Sequence, residues 1–192
     1  MTTPAIQPIA RRLRTVFLDR DGILNEKMPE GQYVTRWEEF RTLPGVPEAL
    51  RRLNEAGLRV IVVSNQRGIA KNFYTLGNVE AIHAKFQQLL SQNGAHIDAF
   101  FICPHDHGQC NCRKPLPGLF DQAVAQFPHI TATTSVMIGD SLSDMEFGRN
   151  LGMATILVEG GPHQRESGAE AAAKLADLRA DSFAIAVQKL FR

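Results

Sequence analysis

The chain has 192 residues, 44% of them hydrophobic, enough for one domain (1–192) with a sizeable core. Its 21 Lys and Arg against 20 Asp and Glu leave a net charge of +1, which removes the electrostatic case for nucleic acid as a partner. No apolar run reaches membrane-span length and Met1–Ala10 has no signal-peptide core, so a cytoplasmic chain with no membrane attachment is expected.

In chain order, Arg11-Arg12-Leu13-Arg14 reads as a solvated lead-in to a strand at Thr15–Leu18. That strand ends in Asp19-Arg20-Asp21-Gly22. Two carboxylates one residue apart repel, so they need a cation or a shared proton. The arrangement suits a magnesium-assisted site in which one carboxylate attacks phosphorus and its neighbour moves a proton. The plainer readings are a turn or a helix cap; an EF-hand would want glycine at position six and a distal glutamate. Pro47–Ala56 is a helix with Leu50, Leu53 and Ala56 on one face and Gly57 as its stop, followed by a strand at Leu58–Val63. Val79–Gln92 is an amphipathic helix, Ile97–Ile102 a strand, and Leu116–Phe127 a helix. Ser135–Ile138 and Ala154–Val158 are strands flanking a helix at Ser143–Leu151. After Gly160-Gly161-Pro162 a polar, Ala-rich tail ends in a helix at Ser182–Phe191. Strand and helix alternate, which implies an α/β fold: a Rossmann-like, doubly wound parallel sheet with right-handed crossovers. Ligands of such sheets sit beyond the carboxyl ends of the strands, near the switch point.

Other strand ends carry polar residues as well. Ser64 follows the second strand and can donate to a phosphoryl oxygen, with Asn65 as a second donor; a helix N-cap is the alternative for Ser64. Gly139-Asp140-Ser141-Leu142-Ser143-Asp144 follows the fourth, where Asp140 can share a cation with Asp19. Capping explains the serines but not both aspartates. Arg113-Lys114-Pro115 offers two positive charges between them.

All three cysteines fall within residues 103–112, an odd count packed too tightly for a disulfide framework. Cys103, His105, Cys110 and Cys112 give three thiolates and one imidazole, the donor set of a closed, structural Zn2+ site. His107 is the rival for His105.

D-x-D-G at Asp19–Gly22, Ser64, Lys114, and G-D-x-x-x-D at Gly139–Asp144 together resemble the haloacid dehalogenase (HAD) superfamily of phosphotransferases. The resemblance covers roughly residues 15–160. It implies that Asp19 is the nucleophile and becomes an aspartyl phosphate, and that Asp21 is the general acid and base. Ser64 would bind the phosphoryl group and Lys114 would balance its charge. Asp19, the Asp21 carbonyl and Asp140 would hold Mg2+, with Asp144 orienting that shell. The spans from Asp19 to Ser64 and from Ser64 to Lys114 each already hold a helix and a strand, so the fold is expected to be capless. Access would fall to loops, chiefly Asn25–Phe40 and the zinc loop, with Tyr33 and Trp37 either lining the opening or packing beneath it.

A zinc loop running into Arg-Lys-Pro is similar to the heptose bisphosphate and histidinol phosphate phosphatases. Ser-Asn-Gln-x-Gly-Ile and Cys-x-Cys-Arg-Lys-Pro-x-Pro-Gly favour the heptose branch. That branch implies removal of the 7-phosphate of a heptose 1,7-bisphosphate in nucleotide-heptose synthesis, with Arg113 gripping the substrate. The expected partner is a small phosphorylated sugar and the expected state a monomer. Ile23, Arg67, Ser141 and a short His105–Cys110 spacing depart from the heptose pattern. Histidinol phosphate hydrolysis is therefore the alternative, and a non-catalytic phosphate-binding module is the alternative of another class.

Overall fold

The computed structural model describes residues 12–160 and 168–191. Six strands form one parallel sheet: β1 (Thr15–Leu18), β2 (Arg59–Asn65), β3 (Ala99–Cys103), β4 (Ser135–Gly139), β5 (Ala154–Val158) and β6 (Leu178–Ala180). Their spatial order is β3-β2-β1-β4-β5-β6. The helices are α1 (Val46–Glu55), α2 (Leu76–Gln92), α3 (Gly118–Gln126), α4 (Leu142–Leu151), α5 (Ala169–Leu175) and α6 (Phe183–Leu190). Among the described residues no helix is long and apolar enough to cross a membrane.

Strand side chains alternate between the two faces of the sheet. Val16, Leu18, Val60, Val62, Val136 and Ile138 pack with Leu50 and Leu53 of α1, Ile82 and Phe86 of α2, and Val187 of α6. Phe17, Ile61, Val63 and Met137 face the other way, onto Leu119 and Ala123 of α3 and Phe147 of α4. With both faces covered, all four residues of β1 are buried, and Val16, Phe17 and Leu18 are apolar in succession. Parallel register aligns Leu18 with Val62 on one side and with Ile138 on the other. The chain leaves β1 toward β2 and returns on its far side at β4, so the carboxyl ends of these strands surround the switch point.

Both strands read as Thr15–Leu18 and Ala154–Val158 keep those bounds. Other ends shift by one to three residues for visible reasons. The second helix begins at Leu76, not Val79, because Thr75 caps it: Thr75 Oγ accepts from Asn78 N at 3.2 Å, and Asn78 Oδ1 accepts from Thr75 N at 2.8 Å. The Ala-rich tail holds more than its final helix. It contains α5 and a strand, β6, which extends the sheet beyond β5. Leu-Arg-Ala is too short to give an apolar run, so pairing with β5 rather than local pattern defines it. Arg11, Gly161 and Pro162 lie outside the described residues.

Candidate active site

Asp19 leaves β1 at the switch point, its backbone N–H donating to Ile138 O of β4 at 3.0 Å. The Lys114 ammonium donates to Asp19 Oδ1 (2.8 Å), Asp144 Oδ1 (2.6 Å) and Val63 O (2.7 Å). All three of its protons are thus engaged, on a side chain sealed from solvent. Burial works against the lysine's charge, but Asp144 and Asp19 outweigh it and hold its pKa above the ordinary value. Asp144 closes the first turn of α4, where its Oδ2 accepts from Ser141 N (3.1 Å) and Ser141 Oγ (2.6 Å). The same carboxylate thus joins the first turn of α4 to the Lys114 ammonium.

The two aspartates of the D-x-D pair receive opposite treatment. Burial pushes Asp19 up to about 6, with Lys114 opposing and Asp144 and Asp21 reinforcing. Burial also acts on Asp21, but the Arg20 guanidinium outweighs it and, with hydrogen bonds from Arg20, Asn25 and Gln66, holds the carboxyl below the usual range. Arg20 NH2 meets both Asp21 oxygens, at 2.9 and 2.8 Å; Asn25 Nδ2 reaches Oδ1 at 2.9 Å and Gln66 Nε2 reaches Oδ2 at 3.0 Å.

Asp140 approaches from β4. Gly22, at φ +90°, leaves it room, since a Cβ there would fall 2.2 Å from Asp140 Oδ2. Lys27 Nζ donates to Asp140 Oδ2 at 2.8 Å, while the buried Oδ1 has no hydrogen-bond partner. Burial drives Asp140 up to about 8, against the pull of Lys27. Ligand oxygens of Asp19, Asp140 and Asp144 lie within 4.8 Å of one another. An orphaned buried oxygen on Asp140, beside an Asp19 that burial likewise drives toward neutrality, fits a divalent cation.

The cavity above these groups has a volume of about 280 Å3 and is lined by Ser64, Asn65, Arg67 and Arg113 on one side and Lys27–Val34 on the other. Asn65, expected to be a second phosphoryl donor, instead clasps the Lys114 backbone: Nδ2 donates to Lys114 O at 3.1 Å and Oδ1 accepts from Lys114 N at 3.0 Å. Arg67 is spoken for by Asp106, with Nε–Oδ1 at 2.5 Å. Arg113 faces the cavity, and its buried Nε and one terminal nitrogen have no partner. Tyr33 lines the opening and stacks on Phe73 (5.3 Å, 28°), whereas Trp37 stacks on Phe40 against the core.

Cys103, His105, Cys110 and Cys112 converge just beside this cavity. Cys103 Sγ lies 3.5 Å from Cys110 Sγ, and His105 Nδ1 lies 3.4 Å from Cys112 Sγ and 3.9 Å from Cys103 Sγ. Bonds of about 2.3 Å to sulfur and 2.0 Å to nitrogen at tetrahedral angles would separate the ligand atoms by roughly 3.5–3.8 Å, so the set fits zinc. His107 instead turns toward Arg113, Nε2 to NH2 3.4 Å.

Arg20, Asn25 and Gln66, and Tyr74, whose hydroxyl donates to Gln66 Oε1 at 2.6 Å, join the site although the sequence motifs give them no role there. Arg20 was the spacer of D-x-D, although its burial follows from β1 ending inside the fold. Gln66 stands two residues beyond Ser64, and that period-two spacing was the available sign that both face the same side.

A doubly wound sheet whose switch point carries this aspartate, serine and lysine set is the architecture of HAD-like hydrolases, and the HAD-hydrolase-like family model matches residues 111–186. A D-glycero-alpha-D-manno-heptose-1,7-bisphosphate 7-phosphatase of Mycobacterium tuberculosis is 37% identical over 176 residues, 90% of each chain. The D-glycero-beta-D-manno-heptose-1,7-bisphosphate 7-phosphatase of Pseudomonas putida is 36% identical over 80% of this chain and 86% of that one. A D,D-heptose 1,7-bisphosphate phosphatase from B. bronchiseptica, solved with magnesium and phosphate, superposes with a TM-score of 0.80 at 28% identity, covering 93% of this chain and 98% of that one. The chain belongs to the heptose bisphosphate phosphatase family of HAD-like hydrolases.

Proposed function

We propose that this protein is a magnesium-dependent phosphatase that removes the 7-phosphate of D-glycero-D-manno-heptose 1,7-bisphosphate, working as one domain without an independent cap. The observation that carries the reading is Asp19 tethered by a buried lysine at the floor of a cavity whose rim holds a second cation, Arg113. The relatives' activity supports the substrate.

In the first half-reaction an Asp19 carboxylate oxygen attacks phosphorus. The bond from phosphorus to the sugar oxygen breaks, and that oxygen takes a proton from Asp21. In the second half-reaction a water attacks the phosphorus of the Asp19 acyl phosphate and gives its proton back to Asp21. Inorganic phosphate leaves and Asp19 is regenerated. The incoming phosphate's negative charge favours protonation of Asp21, the form the first step needs; the network of Arg20, Asn25 and Gln66 favours the carboxylate needed in the second. Lys114 balances charge on the transferring group, and Ser64 donates to one of its oxygens. Asp19, Asp140 and the Asp21 carbonyl would hold magnesium, with Asp144 orienting them; when bound, the ion supplies positive charge to the phosphoryl oxygens. Zinc held by Cys103, His105, Cys110 and Cys112 would fix the loop that delivers Arg113 and Lys114.

The test compares kcat/KM for the two anomers of heptose 1,7-bisphosphate with that for histidinol phosphate, in the presence of magnesium. The bisphosphate is expected to win, with loss of the 7-phosphate seen by phosphorus NMR. Arg113→Ala should cost the bisphosphate roughly 10- to 150-fold more than a monophosphate substrate, the worth of a charge-assisted contact. Preference for histidinol phosphate would defeat the heptose reading, and equal loss on both substrates would reassign Arg113 to the transferring phosphate.

A further inference from the structure

The hydrogen bond from Gln66 to Asp21 is one link of a longer chain that also joins Ser64 and Tyr74. Gln66 is buried, and its Nε2 donates both to Asp21 Oδ2 (3.0 Å) and to Ser64 Oγ (2.8 Å). The Tyr74 hydroxyl, also buried, donates to Gln66 Oε1 at 2.6 Å. We propose that Gln66, locked by Tyr74, is a positioning residue that sets the direction in which the Ser64 hydroxyl donates and holds the Asp21 carboxylate beside it.

The polarity of the chain follows from one end. An ionised carboxylate only accepts, so the amide must turn its NH2 toward Asp21. That leaves Oε1 facing Tyr74, which must then be the donor. Burial pushes the tyrosine up to about 12, so it keeps the proton it donates. The second amide proton goes to Ser64 Oγ, which is thereby an acceptor on that side. Its own proton must leave in another direction, and Ser64 lines the cavity shared with Asp19 and Lys114. A flipped amide would set a carbonyl oxygen against the Asp21 carboxylate and leave the serine proton to satisfy the amide instead of a phosphoryl oxygen.

The surroundings guard this arrangement. A Cβ on Gly68 would fall 2.2 Å from the Tyr74 ring and 3.0 Å from Tyr33, so only glycine lets both rings sit where they do. Tyr33, from the loop over the cavity, packs on Tyr74 at 5.7 Å. The loop therefore bears on the residue that locks Gln66.

The inference rests on the phosphatase reading, and its test is independent of the sugar. Binding of inorganic phosphate and of orthovanadate to the magnesium-loaded, full-length protein is measured by calorimetry for wild type, Gln66→Leu, Tyr74→Phe and the double variant. Gln66→Leu is expected to weaken both anions about five- to tenfold, the worth of one neutral hydrogen bond placed in the site. Tyr74→Phe, which keeps the ring and should fold in any case, is expected to weaken them severalfold. In the Gln66→Leu background Tyr74→Phe should add nothing, because the tyrosine acts through the amide. Gln66→Glu should be worse than Gln66→Leu, since it faces Asp21 with a second carboxylate. Unchanged anion affinity in Tyr74→Phe, or additive losses in the double variant, would overturn the role of Gln66 while leaving the phosphatase reading intact. A wild-type protein that binds neither anion would defeat both.

Discussion

Replacing Lys114 by Met tests the centre of the site, because the substitution keeps the bulk of the side chain and removes only its charge. The ammonium bridges Asp19 Oδ1 at 2.8 Å and Asp144 Oδ1 at 2.6 Å, and Asp144 is 0% exposed. Without it the sealed Asp144 carboxyl faces Asp19 at the cavity floor with no cation between them, and stranding a buried charge in this way costs about 3–5 kcal/mol. The cost depends on pH in a fixed direction. Asp19 already stands near 6 with Lys114 pulling it down, so losing the lysine moves it further above its unfolded value of about 3.9. A folded pKa raised in this way contributes stability at low pH that disappears as pH rises through it. The variant should therefore lose most at about pH 8 and recover at about pH 5, where the pair takes up a proton. Urea unfolding at the two pH values without added magnesium measures this. Turnover should fall at least 10²- to 10³-fold at both, the usual penalty for deleting a preorganised positive group. A variant as stable as wild type at the higher pH, or one whose loss is the same at both, would refute the reasoning.

Other outcomes follow from single groups. Asp19→Asn should retain the fold and lose on the order of 10⁴-fold or more in turnover, and Asp21→Asn should be nearly as inactive; a few per cent of residual activity in Asp19→Asn would sink the covalent route. Purified protein should carry about one zinc per chain, and Cys112→Ser, which alters the residue next to Arg113, should lower both zinc content and activity; elemental analysis without zinc would overturn the ligand set. His83, buried and stacked on Phe100 at 4.1 Å, is held neutral, with burial first and Arg20 second lowering it to about 3. Because the unfolded chain binds the proton first, wild type should lose about 2 kcal/mol of stability between pH 7 and pH 5 that His83→Phe does not lose, as read by denaturant titration.

How much was legible in the sequence follows from what each feature depends on. The strands β1 and β5 are short apolar runs between polar ends, and burial on both faces makes that pattern unambiguous. The motif aspartates sit at strand ends, so reading the strand places them. The cysteines and His105 are close in sequence, and their convergence needs only one loop to turn. The contacts of Asn65 are a different matter. Its side chain spends itself on the Lys114 backbone, 49 positions away, and only the pairing of β2 with β3 and the path of the zinc loop bring the two together. Arg67 likewise meets Asp106 across 39 positions, which removes it from the set of free cations at the rim. Arg20 and Gln66 are polar side chains that become part of the site by being buried, and burial is a property of the packed fold.

The D-x-D pair also shows why identical side chains one residue apart need not behave alike. Pairs of acids whose surroundings push their pKa values apart are where acid and base roles divide. Here burial raises Asp19 while Arg20 and its neighbours depress Asp21, and at first sight this is the wrong way round for the proposed nucleophile, which must be ionised, and the proposed acid, which must hold a proton. The conflict resolves once the charges of the reaction are added. Asp19 shares its surroundings with Asp140, which also stands high, and the positive charge of a divalent cation held there would favour the ionised form of both. The Asp21 side chain is clasped by Arg20, and the substrate's negative charge, added to that of the neighbouring Asp19, would favour the proton it must donate. In the proposed mechanism the resting protein would therefore keep Asp21 as the base of the second half-reaction, and substrate binding itself would make it the acid of the first.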